Sequence, residues 1–241
     1  MKSYQSILDQ VARTHSYEAG FNGRLAKYRI LRFIESLPLI QRRNKALEIG
    51  CGEGRTTMEL RKYFDHMIAL EPAHTFFEKS SKRLANSNVE VKKCMLEEFV
   101  SSESFDCILA FGVLEHVMDT SIFLSKVYQL MHADSCFILT VPNATSLHRR
   151  IGKAMGYISY LDQLGPLDYK VGHQRYYDFR SLRHELENND FEILAMKGIM
   201  LKPLPNSMMD TLSDSYCDAL FKIGDELPEY CAEIFCVAKK K

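Results

Sequence analysis

The chain has 241 residues, enough for one sizeable α/β core. Lys plus Arg and Asp plus Glu both total 31, so no bulk charge draws it toward nucleic acid or an anionic membrane. No apolar run approaches the roughly 20 residues of a membrane span, and the opening MKSYQSILDQVART lacks the layout of a signal peptide. The seven cysteines form no Cys-x-x-Cys pair, so reduced thiols in a cytoplasmic protein are expected, with no zinc site or disulfide frame.

Residues 1–40 read as a helical cap, apolar at Ile7, Leu8 and Val11 and again at Leu25, Tyr28, Ile30, Leu31, Ile34 and Leu37. Gly20, Asn22 and Gly23 are expected to part its two halves, and Pro38 to close the second. A short apolar strand follows at 45–50, a helix at 55–64, a strand at 66–71 ended by Pro72, and an amphipathic helix at 73–85. Strands are predicted at 89–94 and at 105–112, the latter apolar enough to be buried on both faces. Asp119 is placed to cap a helix through Met131, with Ile122, Phe123, Val127, Leu130 and Met131 inward. Residues 135–143 make a fifth strand.

The rhythm then breaks. Residues 144–176 form an insertion without a regular pattern, followed by a helix at 177–190 and a strand at 191–200. Ser207 and Asp210 have the spacing of a capping box, and Met208, Leu212, Tyr216, Ala219 and Ile223 the spacing of a helical stripe. That stretch, 210–231, carries six carboxylates against one lysine. Its helix is expected to cover the sheet or form a subunit contact, which leaves a homodimer open. A strand at 232–240 ends the chain. Strand–helix alternation of this kind predicts a doubly wound, mostly parallel sheet in a single domain over 1–241.

The chemistry concentrates in EIGCGEG, residues 48–54, where the first strand hands over to a helix. Glycine tolerates a tight turn and lets a ligand approach the backbone, and the amides opening the next helix favour an anionic group. Glu71 ends the second strand 21 residues after Gly50, where a carboxylate can accept from both hydroxyls of a ribose. Together they predict a nucleoside-containing cofactor. The spacing is G-x-G-x-G with Arg55 in the last position, not the G-x-G-x-x-G of a dinucleotide site, which disfavours a nicotinamide oxidoreductase.

LEIGCGEG, the acid of ALEP and FDCILAFGVLEHV resemble the class I S-adenosylmethionine-dependent methyltransferases, nearest the small-molecule O-methyltransferases that include ubiquinone-biosynthesis enzymes. The resemblance spans about residues 20–143 and implies a Rossmann-like seven-stranded fold with N-terminal helices and a lid at 144–176. It implies S-adenosyl-L-methionine as cofactor. Glu48 would lie near the methionine amino group, Gly50, Cys51 and Gly52 along the methionine portion, and Glu71, with Pro72 after it, at the ribose. Cys94, Met95 and Leu96 stand where the family often has an aspartate, so the adenine would be met by backbone or apolar packing. Phe111 and Gly112 match the segment beside the methionine moiety. Arg24 in GFNGRLAKYR is the candidate for the cofactor carboxylate, with Arg29 close behind.

A sulfonium methyl is already activated, so a general base is needed only where the nucleophile is protonated, as a phenol or alcohol is. His116 after the fourth strand and His173 in GHQRYY are the rival bases, His116 with a supporting role as its alternative. The insertion is rich in basic and tyrosine side chains, which suits a small-molecule acceptor bearing a carboxylate or phosphate. His148, Tyr160, Arg175 and Tyr176 are the candidate acceptor contacts, the alternative being a solvated face whose tyrosines pack on the core. His15, Tyr17 and Phe21 could close the pocket from the N-terminal side. The favoured activity is O-methylation of a small molecule in biosynthesis. An RNA or protein methyltransferase, or a subunit that keeps the pocket without turnover, is the alternative. No metal signature is present.

Overall fold

In the computed structural model, which describes residues 4–14, 16 and 20–241, seven strands share one sheet: β1 Lys45–Ile49, β2 His66–Leu70, β3 Val89–Lys92, β4 Phe105–Phe111, β5 Met131–Pro142, β6 Phe191–Leu201 and β7 Cys231–Lys240. Their order is β3-β2-β1-β4-β5-β7-β6. The first five are parallel, and β7 runs antiparallel to both β5 and β6. The order turns back on itself between β1 and β4, and in such sheets a crevice opens there beyond the carboxyl ends of the strands.

Ten helices accompany the sheet among the described residues: α1 Tyr4–Thr14, α2 Gly20–Ser36, α3 Arg55–Leu60, α4 His74–Arg83, α5 Thr120–Leu130, α6 Leu147–Ala154, α7 Pro166–Val171, α8 Phe179–Asn188, α9 Asn206–Met209 and α10 Asp214–Ile223. One face of the sheet packs Phe123 and Val127 of α5 and Leu182 and Leu186 of α8 against Ile108, Phe137 and Phe191. The other packs Phe21, Leu25, Tyr28 and Phe33 of α2 and Cys217, Leu220 and Phe221 of α10 against Leu109, Ile138 and Phe235. β4 is therefore covered on both sides, as its unbroken apolar run requires. No helix among the described residues is long and apolar enough to cross a membrane.

Several local expectations need correction. Gly20 opens α2, and Asn22 and Gly23 lie inside it instead of parting two helices. A helical glycine costs about 1 kcal/mol, which the burial of Phe21, Leu25 and Tyr28 outweighs. β5 begins at Met131, which pairs with Phe105, and not at 135; Ile122 faces solvent. The insertion carries two helices, α6 and α7. Ser207 does not open the acidic helix, because Ser213 caps α10 by accepting from Tyr216 N. The buried stripe is Cys217, Leu220 and Phe221, while Tyr216, Ala219 and Ile223 are exposed. Thus α10 covers the sheet, as expected, through a face one residue displaced. His15 and Tyr17 lie outside the described residues.

Asp119 caps α5, its carboxylate accepting from Ile122 N at 3.1 Å. This fixes where the loop after β4 ends. Asp119→Ala is expected to lower stability by about 1 kcal/mol, the usual value of such a cap, read as a fall in the urea midpoint with the slope unchanged.

Candidate functional site

A cavity of about 880 Å³ lies over the carboxyl edge of the sheet. Its floor is the turn after β1. Gly50 N and Cys51 N both donate to Leu70 O, at 2.8 and 3.0 Å, extending the β1–β2 ladder into the loop. Gly50 then has φ +70°, and a Cβ there would sit 2.9 Å from Val113 Cγ2. Gly52 has φ +56° and open space where its Cβ would be. Only glycine combines these turns with a bare surface. Gly52 N donates to Glu71 Oε2 at 2.8 Å, and Ala73 N to Oε1 at 2.9 Å.

Three carboxylates are buried around this floor: Glu48, Glu71 and Glu115. Burial pushes each up to about 7. Glu48 Oε2 and Glu115 Oε2 have no hydrogen-bond partner. A polar atom buried in that state calls for a ligand or water to satisfy it.

The wall opposite the glycine turn is built from the loop after β4 and the end of α7. Gln174 N donates to Glu115 O at 2.8 Å, joining the two segments. Gly172, at φ +88°, ends α7 and turns the chain so that His173 N donates to Asp168 O. His173 Nδ1 lies 3.0 Å from Asp168 Oδ1, which also accepts from Tyr176 OH at 2.8 Å. Burial opposes ionisation of Asp168, but His173, Gly165 N–H and Tyr176 together hold it below the usual carboxylate range. The rings of His116 and His173 meet edge to face, with centroids 4.7 Å apart. Desolvation first, and the neighbouring His173 second, push His116 down to about 3. Ligand atoms of Glu115, His116 and His173 lie within 4.8 Å of one another, close enough to hold a metal ion. No sequence spacing announced this trio, because His173 arrives from the far side of the insertion.

Most of the sequence candidates line this one cavity: Glu48, Gly50, Cys51, Gly52, Glu71, Pro72, Met95, Leu96, Phe111, Gly112, His116, His148, His173 and Tyr176, with Phe21 above them. Arg24 does not. Its Nη1 donates to Leu212 O at 2.5 Å, so the side chain anchors α2 to the segment before α10. Arg29, one and a half turns on, lines the cavity instead and pairs with Glu233 at 2.5 Å. Tyr160 is 69% exposed and away from the lining. Arg175 donates to Met118 O at 3.1 Å, bracing the loop after β4 from outside the cavity. Sequence reasoning missed Asp168, Lys202 and Glu233; of these only Asp168, five residues before a candidate histidine, carried a local signal.

Residues 22–196 match the family model described as a methyltransferase domain, and the chain belongs to that family. It is 27% identical over 168 residues to the mitochondrial ubiquinone biosynthesis O-methyltransferase of Bos taurus, covering 66% of this chain and 44% of that protein. To the Homo sapiens protein of the same name it is 25% identical over 204 residues, covering 81% of this chain and 54% of that one. The chain thus spans about half the length of these curated relatives. Among solved structures, a methyltransferase from Leishmania major superposes with a TM-score of 0.66 at 14% identity, over 98% of this chain and 82% of the other. This likeness is one of fold.

Glu115 takes up its proton near pH 7 in the folded chain against an ordinary value of 4.5. Between those values the folded state binds more protons than the unfolded one, so stability falls as pH rises. Glu115→Gln removes that loss. The variant is expected to gain on wild type by about 1–3 kcal/mol between pH 5 and pH 8, read from urea midpoints of the ligand-free protein.

Proposed function

We propose that the chain is an S-adenosylmethionine-dependent methyltransferase that methylates an oxygen of a small, anionic acceptor. The observation that carries this reading is the Gly52 amide bonded to the buried Glu71 carboxylate beside an open glycine turn. The residues fit the cofactor: the unpartnered Glu48 Oε2 suits a cationic ammonium, and the bare surface at Gly52 leaves room for the chain of a thioether. S-adenosylmethionine supplies a methyl group on a cationic sulfur. Glu71 holds the ribose diol, and Glu48 the amino group of the methionine portion. Pro72, Met95 and Leu96 pack the adenine, while Phe111 and Gly112 flank the methionine portion. Carboxylates raised to about 7 by burial ionise readily once a cation lies beside them.

Oxygen is favoured as the acceptor atom by the histidine geometry. With Asp168 taking the proton side of His173 Nδ1, the Nε2 lone pair is left to accept a proton from a phenol or alcohol. His173 is therefore the base in this reading. His116, held down to about 3 by its surroundings, is a weak proton acceptor and positions the neighbouring ring. The relatives, named as O-methyltransferases of ubiquinone biosynthesis, support the same acceptor atom. Seven free cysteines suit a reducing compartment such as the cytoplasm.

Calorimetry is expected to show S-adenosylmethionine and S-adenosylhomocysteine binding in the micromolar range, and Glu71→Ala to weaken both at least about tenfold. No binding of either by the wild-type chain would end the reading. His173→Ala is expected to lower kcat on a phenolic acceptor by about 10²–10⁴-fold with S-adenosylhomocysteine affinity unchanged. Asp168→Asn should move the lower limb of the kcat–pH profile. An unaltered profile in both variants assigns the proton to another group.

A further inference from the structure

Lys202 is a buried cation of the cavity wall that neither the cofactor cradle nor the histidine pair uses. It follows β6 directly, lines the cavity and is 8% exposed. Its Nζ lies 3.4 Å from His148 Nε2 and 5.1 Å from the centre of the Phe21 ring, both also cavity residues. His148 N donates to Lys202 O at 2.9 Å, so the two residues are held side by side. Among the described residues no carboxylate oxygen lies within 4.0 Å of the ammonium. The acids that face it have other partners: Glu233 of β7 pairs with Arg29, and Asp168 of α7 takes His173, Tyr176 and Gly165 N. Arg149 of α6 also faces it, committed to Leu161 O and Gln163 O.

His148 adds a second unmet group. If Nε2 accepts from the lysine, the ring proton sits on Nδ1, and that atom is buried with no partner. One positive charge, paired directly with no carboxylate, thus stands in a wall of the cavity. Burial pushes the lysine down to about 8, with Glu233 pulling the other way.

We infer that Lys202, braced by His148, forms a subsite for a carboxylate group of the methyl acceptor. The single charge matches a carboxylate better than a phosphate dianion. The inference rests on reading the cavity as the chamber for cofactor and acceptor. It also sets the length of the molecule. β6 is three strands from β4 in the sheet, and its carboxyl end lies on the same edge. At about 4.8 Å per strand, less the reach of the lysine side chain, the carboxylate sits on the order of 10 Å from the oxygen methylated beside β4. The acceptor is thereby an elongated hydroxy acid, its ring or chain lying between Phe21 and His173.

The test is calorimetry on the full chain saturated with S-adenosylhomocysteine, using benzoate as the probe and benzamide as its neutral counterpart. Wild-type protein is expected to bind benzoate about tenfold or more tightly than benzamide. Lys202→Met should remove the preference, and Lys202→Arg should keep part of it. In wild type alone, benzoate affinity should fall as pH rises from 7 to 10, where the lysine loses its proton while benzoate stays anionic. Equal affinity for the two probes, a benzoate affinity constant over that pH range, or a folded Lys202→Met that binds benzoate like wild type overturns the subsite. The thioether's own affinity separates the two readings: if wild type binds S-adenosylhomocysteine while benzoate fails, only the subsite falls.

Discussion

One hydrogen bond, from the Gly52 amide to the Glu71 carboxylate, ties the first two β–α junctions together. It forms because the β1–β2 ladder runs on through Gly50 and Cys51 to Leu70 O, which brings the turn against the end of β2. A carboxylate buried this deeply needs donors, and two backbone amides supply them. Any side chain at Gly50 would push the turn off Val113, and with it the contact. The crevice keeps its shape because this corner has one arrangement.

The charges around the cavity share one character. Three carboxylates are raised toward neutrality and two histidines, His116 and His148, are lowered away from protonation. These five groups thus add little charge of their own until a ligand brings some. A low-dielectric site of this sort strengthens each interaction that a charged ligand makes within it. Glu48, Glu115 and His148 each bring a buried polar atom without a partner to this lining.

The two halves of the cavity are built differently. The half around the glycine turn comes from consecutive β–α turns, each short and local. The opposite half is assembled from α2, the loop after β4, α7 with its Gly172 turn, and the end of β6. Its joints are single contacts over long sequence distances, such as Gln174 N to Glu115 O and Arg175 to Met118 O. Variation in the insertion can therefore reshape that half without disturbing the glycine turn.

From the residues alone one could read the seven strands, the cap at Asp119, the glycine turn and the acid at Glu71, because each is announced by neighbours within a few positions. Helical phase was less legible: a stripe through Tyr216 and Ile223 looked as good as the true one through Cys217 and Phe221, since the acidic helix is apolar on more than one side. The choice between two arginines was not legible. Arg24 and Arg29 lie on the same helix with the same chemistry, and only the packing of α2 against the segment before α10 sends one to backbone carbonyls and the other to the cavity. The same holds for Lys202 and the meeting of His116 with His173. Local order determined the glycine turn and its buried acid, because a turn and the strand beside it are specified by adjacent residues. Tertiary packing alone decided what faces them across the cavity, because those side chains come from elements that meet only when the sheet closes over them.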